Sequence, residues 1–201
     1  MTPTVVVFDC DSTLIQEEVI ELLAAYAGTE REVAEVTSRA MHGDLDFAES
    51  LRQRVATLAG LDASILREVR PTPTPGVPET LEACRRAGCT TAVVSGGFTQ
   101  VLDPLAERLG IDHALANNLE VRDGKLTGAI DGPIVDRAAK AAFLESLGGR
   151  SVAIGDGAND IDMLRAADTG VAFNAKPALW PAANVWVNSE RMDAVLPLIG
   201  L

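Results

Sequence analysis

The sequence predicts an α/β fold, a parallel-sheet core with a small helical cap domain inserted after the first strand. Three observations carry this. From about residue 78 onward, short apolar runs rich in β-branched residues alternate with stretches of helical spacing, the pattern of strands joined by crossover helices. Between the first apolar run and a proline-rich stretch, the spacing is helical throughout. Several of the apolar runs end in acidic or glycine-rich groups. With 201 residues, 47% of them hydrophobic, the chain can bury a core without disulfides or a structural metal.

The elements follow in order. Val5 to Phe8 is continuously apolar, as a strand covered on both faces must be, and Asp9 stands at its carboxyl end. From Gln16 to about Arg70 one stripe is formed by Val19, Leu22, Leu23 and Tyr26 and another by Phe47, Leu51, Val55 and Leu58. Pro71 to Gly76 cannot continue a helix and reads as a semi-rigid hinge. A helix is expected near Pro78 to Ala87, a strand near Thr90 to Val94 and a helix near Gln100 to Leu109. Leu119 to Ile130, with Asp123-Gly124 between alternating residues, reads as a β-hairpin appended to the sheet. A helix over Ala138 to Leu147 and strands near Val152 to Ile154, Val171 to Phe173 and Val185 to Val187 complete the set. Trp180 and Trp186 are expected in the core or against the final segment, and His42 and His113 on the surface or in loops.

Composition narrows the partners. Lys and Arg number 17 against 29 Asp and Glu, a formal charge of −12, which argues against a general affinity for nucleic acid or an anionic membrane. Cys10, Cys84 and Cys89 are too few and too oddly spaced for a disulfide framework or a zinc site, and read as small buried hydrophobes in a reducing cytosol. The first residues carry no basic region, and no apolar stretch approaches the ~20 residues of a membrane span. A soluble cytoplasmic protein, monomer or homodimer, is the expectation.

In an open parallel sheet, ligands gather outside the carboxyl ends of the strands. Three expected ends carry Asp9-Cys-Asp11, Ser95-Gly-Gly97 and Gly155-Asp-Gly-Ala-Asn-Asp160. An isolated Asp-X-Asp after a strand is ordinarily a solvated turn. Two acidic clusters in one crevice are different, because four carboxylates repel one another unless a cation sits among them. Hard oxygen ligands with no nearby His or Cys point to Mg²⁺.

Phe8-Asp-Cys-Asp-Ser-Thr-Leu14 resembles the first motif of the haloacid dehalogenase superfamily, and Ser95-Gly-Gly-Phe98 its second. Lys140 falls where the third has a lysine, and Gly155 to Asp160 is similar to the fourth. Within that superfamily, Glu18, the stretch Met41-His-Gly-Asp-Leu-Asp-Phe47 and Ser50-Leu-Arg-Gln-Arg-Val55 resemble the branch that hydrolyses phosphoserine. Cys10 stands where many relatives have Phe or Met, and no chemistry is attached to it. The resemblance implies a Rossmann-like core over residues 1–14 and 72–201, a cap over 15–71, and Mg²⁺-dependent hydrolysis of phosphoserine, the last step of serine biosynthesis. Asp9 would be the nucleophile, Asp11 the acid and then the base, and Lys140 a catalytic partner. Asp9, the Asp11 carbonyl and Asp156 would hold the metal, with Asp160 in support. Ser95, Gly96, Lys140 and Asn159 would bind substrate. A spacing of two along extended backbone would put Asp9 and Asp11 on one side. The alternatives are a relative acting on another small phosphomonoester or passing phosphate to an alcohol, and a silent phosphometabolite sensor.

The insertion also carries signals of its own. On a wheel of the Phe47 to Leu58 helix, Arg54 falls in the middle of the apolar stripe and Arg52 on the polar side. A guanidinium on a buried face needs an anionic partner, either a substrate carboxylate or an internal ion pair, unless it snorkels. Glu18 sits at the edge of its stripe, where it could meet an ammonium, while Glu17 and Glu21 face away. The resemblance gives Glu18 and Arg54 these recognition roles, with Phe47 and Met41 shielding the site.

Overall fold

Strand β1 (Val5–Asp9) is buried along its whole length, as its β-branched run requires. The computed structural model, which describes residues 3–41 and 45–201, continues from β1 into a wide turn over Cys10–Leu14 and then into helices α1 (Val19–Ala27), α2 (Glu30–Met41) and α3 (Phe47–Ala56). A 3₁₀ turn at Ala63–Arg67 leads to α4 (Val77–Arg86), β2 (Thr90–Phe98), α5 (Thr99–Leu109), β3 (His113–Arg122) and β4 (Lys125–Asp131). Then come α6 (Arg137–Leu147), β5 (Ser151–Gly155), α7 (Ile161–Ala166), β6 (Thr169–Phe173), β7 (Val185–Val187) and α8 (Leu196–Ile199).

The strands form one sheet in the order β4-β3-β2-β1-β5-β6-β7. All neighbours are parallel except β3 and β4, the expected hairpin. The chain winds outward from β1 in one direction and then in the other, so a crevice opens beside the carboxyl end of β1. Strand alternation sorts the core into two layers. Val6 and Phe8 pack with Leu81 of α4 and Val101 and Leu105 of α5, whereas Val5 and Val7 pack with Leu144 of α6 and Met163 and Leu164 of α7.

Between β1 and α4, α3 buries Leu51 and Val55 as expected, and Asp46 caps its start by accepting from the Glu49 amide at 2.7 Å. In α1 the buried face is Val19, Ile20, Leu23 and Ala24, while Tyr26 is 50% exposed. The apolar stripe therefore lies slightly round the helix from the one through Leu22 and Tyr26. The two passages between this helical unit and the sheet run side by side: the Thr74 amide and hydroxyl donate to Leu14 O and Thr13 O, and Gln16 N donates to Thr72 O. The proline stretch is thus paired backbone rather than a lone hinge. On the far side, the β3–β4 hairpin grips the insertion, with Gly60 N donating to Leu126 O, Leu126 N to Leu61 O and Ala63 N to Gly124 O. At Gly128, with φ +84°, an added Cβ would stand 3.0 Å from Ala59 Cβ and 3.2 Å from the Ala56 backbone.

Two expectations are corrected. Trp180, in the 3₁₀ turn Pro177–Ala182, and Trp186, on the edge strand β7 that has no further strand to cover it, are 50% and 61% exposed, and their ring N–H groups donate to Ala175 O and Trp180 O. β2 continues past Val94 through the glycines to Phe98, with a shift of register against β3. The three cysteines are buried and unpaired, and no helix of the described residues is long and apolar enough to cross a membrane.

Candidate active site

β1 ends in Asp9, and the chain leaves the strand at Cys10. Asp11 is therefore placed by the turn, not by strand alternation as its spacing suggested. The turn includes Ser12 in the left-handed region, φ 57°, a conformation costly for a residue with a Cβ. There its hydroxyl donates to Glu18 Oε1 at 2.8 Å, tying the residue that precedes α1 to the turn after β1.

Lys140 is the centre of the buried charge. It lies one turn into α6, whose start is capped by Asp136 accepting from the Ala139 amide at 2.9 Å. Its fully buried ammonium donates to Asp9 Oδ1 at 2.5 Å and Asp160 Oδ1 at 2.7 Å. Burial works against that charge, but Asp160 and Asp9 outweigh it and hold the ammonium above the ordinary lysine range. Asp160, from the turn after β5, spends its other oxygen on the Gly157 amide at 3.1 Å. Asp156 leaves the end of β5 with Lys176 Nζ 3.4 Å from it at the rim. Its carboxyl is pushed up to about 6 by burial, against the pull of Lys176. Burial and the charges of Asp160 and Asp156 drive Asp9 well above the usual carboxylate range despite Lys140.

Asp9, Asp156 and Asp160 can each offer an oxygen so that all three lie within 4.8 Å of one another. Three buried carboxylates face one buried ammonium and one at the rim, so negative charge is in excess. A hard divalent cation fits such a donor set and would offset the carboxylate repulsion that adds to burial in raising Asp9.

Asp11 lies beside the second loop: a Cβ added at Gly97 would stand 3.4 Å from Asp11 Oδ2 and 3.0 Å from Ser95 Oγ. Burial, reinforced by the Glu18 charge, raises Asp11 to about 8, and its Oδ1 is buried without a hydrogen-bond partner. Ser95 is buried, with its hydroxyl accepting from Gly97 N at 2.8 Å. Gly96 faces the insertion: a Cβ there would meet Phe47 Cζ at 3.0 Å. Arg54 is half-buried, its Nε donating to Ser50 O at 3.3 Å. Burial lowers its pKa, while Glu18 and Asp11 are the strongest charges opposing that shift. Among the described residues neither Arg54 nor Glu18 makes an ion pair. Arg52 is exposed.

Of the residues picked from the sequence, Asp9, Asp11, Glu18, Phe47, Arg54, Ser95, Gly96, Lys140, Asp156 and Asp160 converge on this crevice. Asn159 lies half-buried on the turn before Asp160. Met41 ends α2, but its side chain lies outside the described residues, as does His42. Sequence reasoning missed Ser12, Lys176 and Asn117. Asn117 left a signal, since Asn is depleted in strands yet stands in the apolar run of β3. Lys176 left none that spacing could find.

A family model described as haloacid dehalogenase-like hydrolase matches residues 6–165, and a second of the same description matches 141–199. A protein of Streptomyces coelicolor named phosphoserine phosphatase is 56% identical over 98% of this chain, which spans 50% of that relative's length. One of the same name from Idiomarina loihiensis is 47% identical over 95% of this chain and 91% of its own. A solved structure titled as a phospho-aspartyl intermediate analogue of phosphoserine phosphatase superposes with a TM-score of 0.90 at 38% identity, covering 99% of this chain and all of that one.

Proposed function

We propose that this chain, which belongs to the haloacid dehalogenase-like hydrolase family, is a phosphoserine phosphatase that hydrolyses O-phospho-L-serine through an aspartyl-phosphate on Asp9. The observation that carries the substrate is the pair Glu18 and Arg54. They are opposite charges that act on one another and on Asp11, yet among the described residues neither makes an ion pair. An amino-acid head group supplies the missing partner of each, its ammonium to Glu18 and its carboxylate to Arg54. The names of the relatives support the same reading.

Asp9 attacks phosphorus, forming an Oδ–P bond as the bond from phosphorus to the serine oxygen breaks. Asp11, raised to about 8, holds a proton at neutral pH and passes it to the departing oxygen, which leaves poorly as an alkoxide. Water then attacks the acyl phosphate, Asp11 takes its proton, and the Asp9 carboxylate is released with phosphate. Ser95, the Gly96 amide and Lys140 hold the phosphoryl oxygens. Asp9, the Asp11 carbonyl and Asp156 would hold Mg²⁺, with Asp160 behind them. When bound, the ion offsets the carboxylates so that a dianionic phosphate can enter. Phe47 shields the crevice from the side of the cap, residues 15–71.

Phosphate release from a panel of phosphomonoesters, with and without Mg²⁺, tests this reading. Phosphoserine is the preferred substrate, excess chelator stops turnover, and Asp9→Asn forms no phosphorylated enzyme. Full turnover in chelator, or a phosphoenzyme formed by Asp9→Asn at normal rate, would overturn it.

A further inference from the structure

One buried amide joins the two halves of the phosphate-binding apparatus. Asn117 of β3 is 1% exposed, yet every polar atom of its side chain is used. Its Nδ2 donates to Gly96 O at 2.9 Å and to Gly97 O at 3.2 Å, and its Oδ1 accepts from Val135 N at 2.8 Å. The first two bonds grip the second loop on its carbonyl side, where the register between β2 and β3 shifts and ordinary ladder pairing cannot hold it. The third grips the segment that enters α6, whose capping residue Asp136 follows at once and whose fifth residue after Val135 is Lys140. Each carbonyl shares a rigid peptide plane with the N–H of the next residue, so these two bonds fix the Gly97 and Phe98 amides, and Gly97 N in turn donates to Ser95 Oγ at 2.8 Å; the backbone that carries the Gly96 amide is thereby anchored on its far side.

We infer that Asn117 is a positioning residue: it orients the Ser95-Gly96-Gly97 backbone towards phosphate and holds that loop in register with Lys140. This rests on the phosphate-binding role proposed for the loop. Neither strand pairing nor core packing requires an amide at this place. An apolar residue of the same size would fill the volume, whereas only an amide donates to two carbonyls while accepting from a third segment. The group acts on phosphate alone. Its loss weakens every phosphomonoester alike and leaves the choice made by Glu18 and Arg54 untouched.

The test uses Asn117→Asp, which keeps the acceptor for Val135 and turns the donor into an oxygen facing two carbonyls, and Asn117→Ser, which shortens the side chain. Three quantities are read at 25 °C on protein shown to be folded by thermal melts: kcat/KM for phosphoserine, kcat/KM for phosphoethanolamine, and the inhibition constant of inorganic phosphate. The expected result is a loss of about 10–100-fold in both kcat/KM values, by one common factor, with phosphate inhibition weakened in parallel, the scale on which supporting partners of a reactive group act. A folded variant with wild-type phosphate inhibition and turnover overturns the inference. So does a loss that differs between the two substrates, or a failure of both variants to fold, since each assigns Asn117 to other work. If wild-type protein neither turns over phosphomonoesters nor binds phosphate, it is the phosphatase reading that fails.

Discussion

In the function proposed above, Arg54 is the residue that reads the substrate's carboxylate. It is half-buried and, among the described residues, has no carboxylate in ion-pair contact, a state that an arriving anion would relieve. Replacing it with Ala is expected to lower kcat/KM for phosphoserine by about 2–4 kcal/mol, the scale of losing one partner of a desolvated charge pair. Phosphoethanolamine, which lacks the carboxylate, is expected to be nearly unaffected. Glu18→Ala penalises both compounds, since both carry the ammonium, and spares 3-phosphonooxypropionate. Steady-state kinetics on the three substrates check this, and an equal loss for phosphoserine and phosphoethanolamine in Arg54→Ala would make Arg54 structural. Ser12 belongs to the same scale: its left-handed backbone is tolerated where the hydroxyl reaches Glu18, so the strained residue holds the carboxylate proposed to meet the ammonium.

Among the elements, the β3–β4 hairpin does more than extend the sheet. Its backbone pairs with Gly60, Leu61 and Ala63, and Gly128 within β4 lies directly against the end of α3, the helix that carries Phe47 and Arg54. Gly128 is needed there twice over, for its φ of +84° and for the 3.0–3.2 Å approach of Ala56 and Ala59. Gly128→Ala is therefore expected to cost about 1–3 kcal/mol, combining a left-handed alanine with overpacking. It should also raise KM for phosphoserine more than it lowers kcat, because α3 moves while Asp9, Asp11 and Lys140 stay in place. Thermal melts with steady-state kinetics check this, and an unchanged KM with a lowered melting temperature would show that the hairpin contributes stability but does not place Arg54.

At the scale of the whole molecule, the buried acids couple stability to pH and to metal. Folding raises Asp11 from 3.8 to about 8 and Asp156 from 3.8 to about 6, so the folded chain binds these protons more tightly than the unfolded chain. The stabilisation is whole below about pH 4 and fades as pH rises through 6 for Asp156 and 8 for Asp11. Metal-free protein should lose melting temperature by several degrees between about pH 5 and 8, at ~2–4 °C per kcal/mol for a chain of this size. Saturating Mg²⁺ should raise the curve most at the alkaline end, because it binds the ionised carboxylates of the folded state. Melting curves in chelator and in Mg²⁺ across that range decide the matter. A chelator curve that is flat or rises with pH would mean that the acids are ionised in the metal-free crevice.

How much was legible follows from range. Asp9, Ser95 and Asp156 could be read because each ends an apolar run, and strand ends in a parallel sheet converge by topology alone. Arg54 and Leu51 could be read because helical spacing fixes which residues share a face. The exposure of Trp180 and Trp186, the placement of Asp11 by a turn, the grip of the hairpin on the insertion and the bonds of Asn117 were not legible. Each depends on a partner distant in the chain or on the bend of a few residues, and no periodicity records either. The sequence by itself determined which elements form and which chemistry stands at their ends. Only the tertiary structure decided which buried donor meets which acceptor, because those bonds are chosen by the packing of segments whose separation along the chain carries no information about their distance in space.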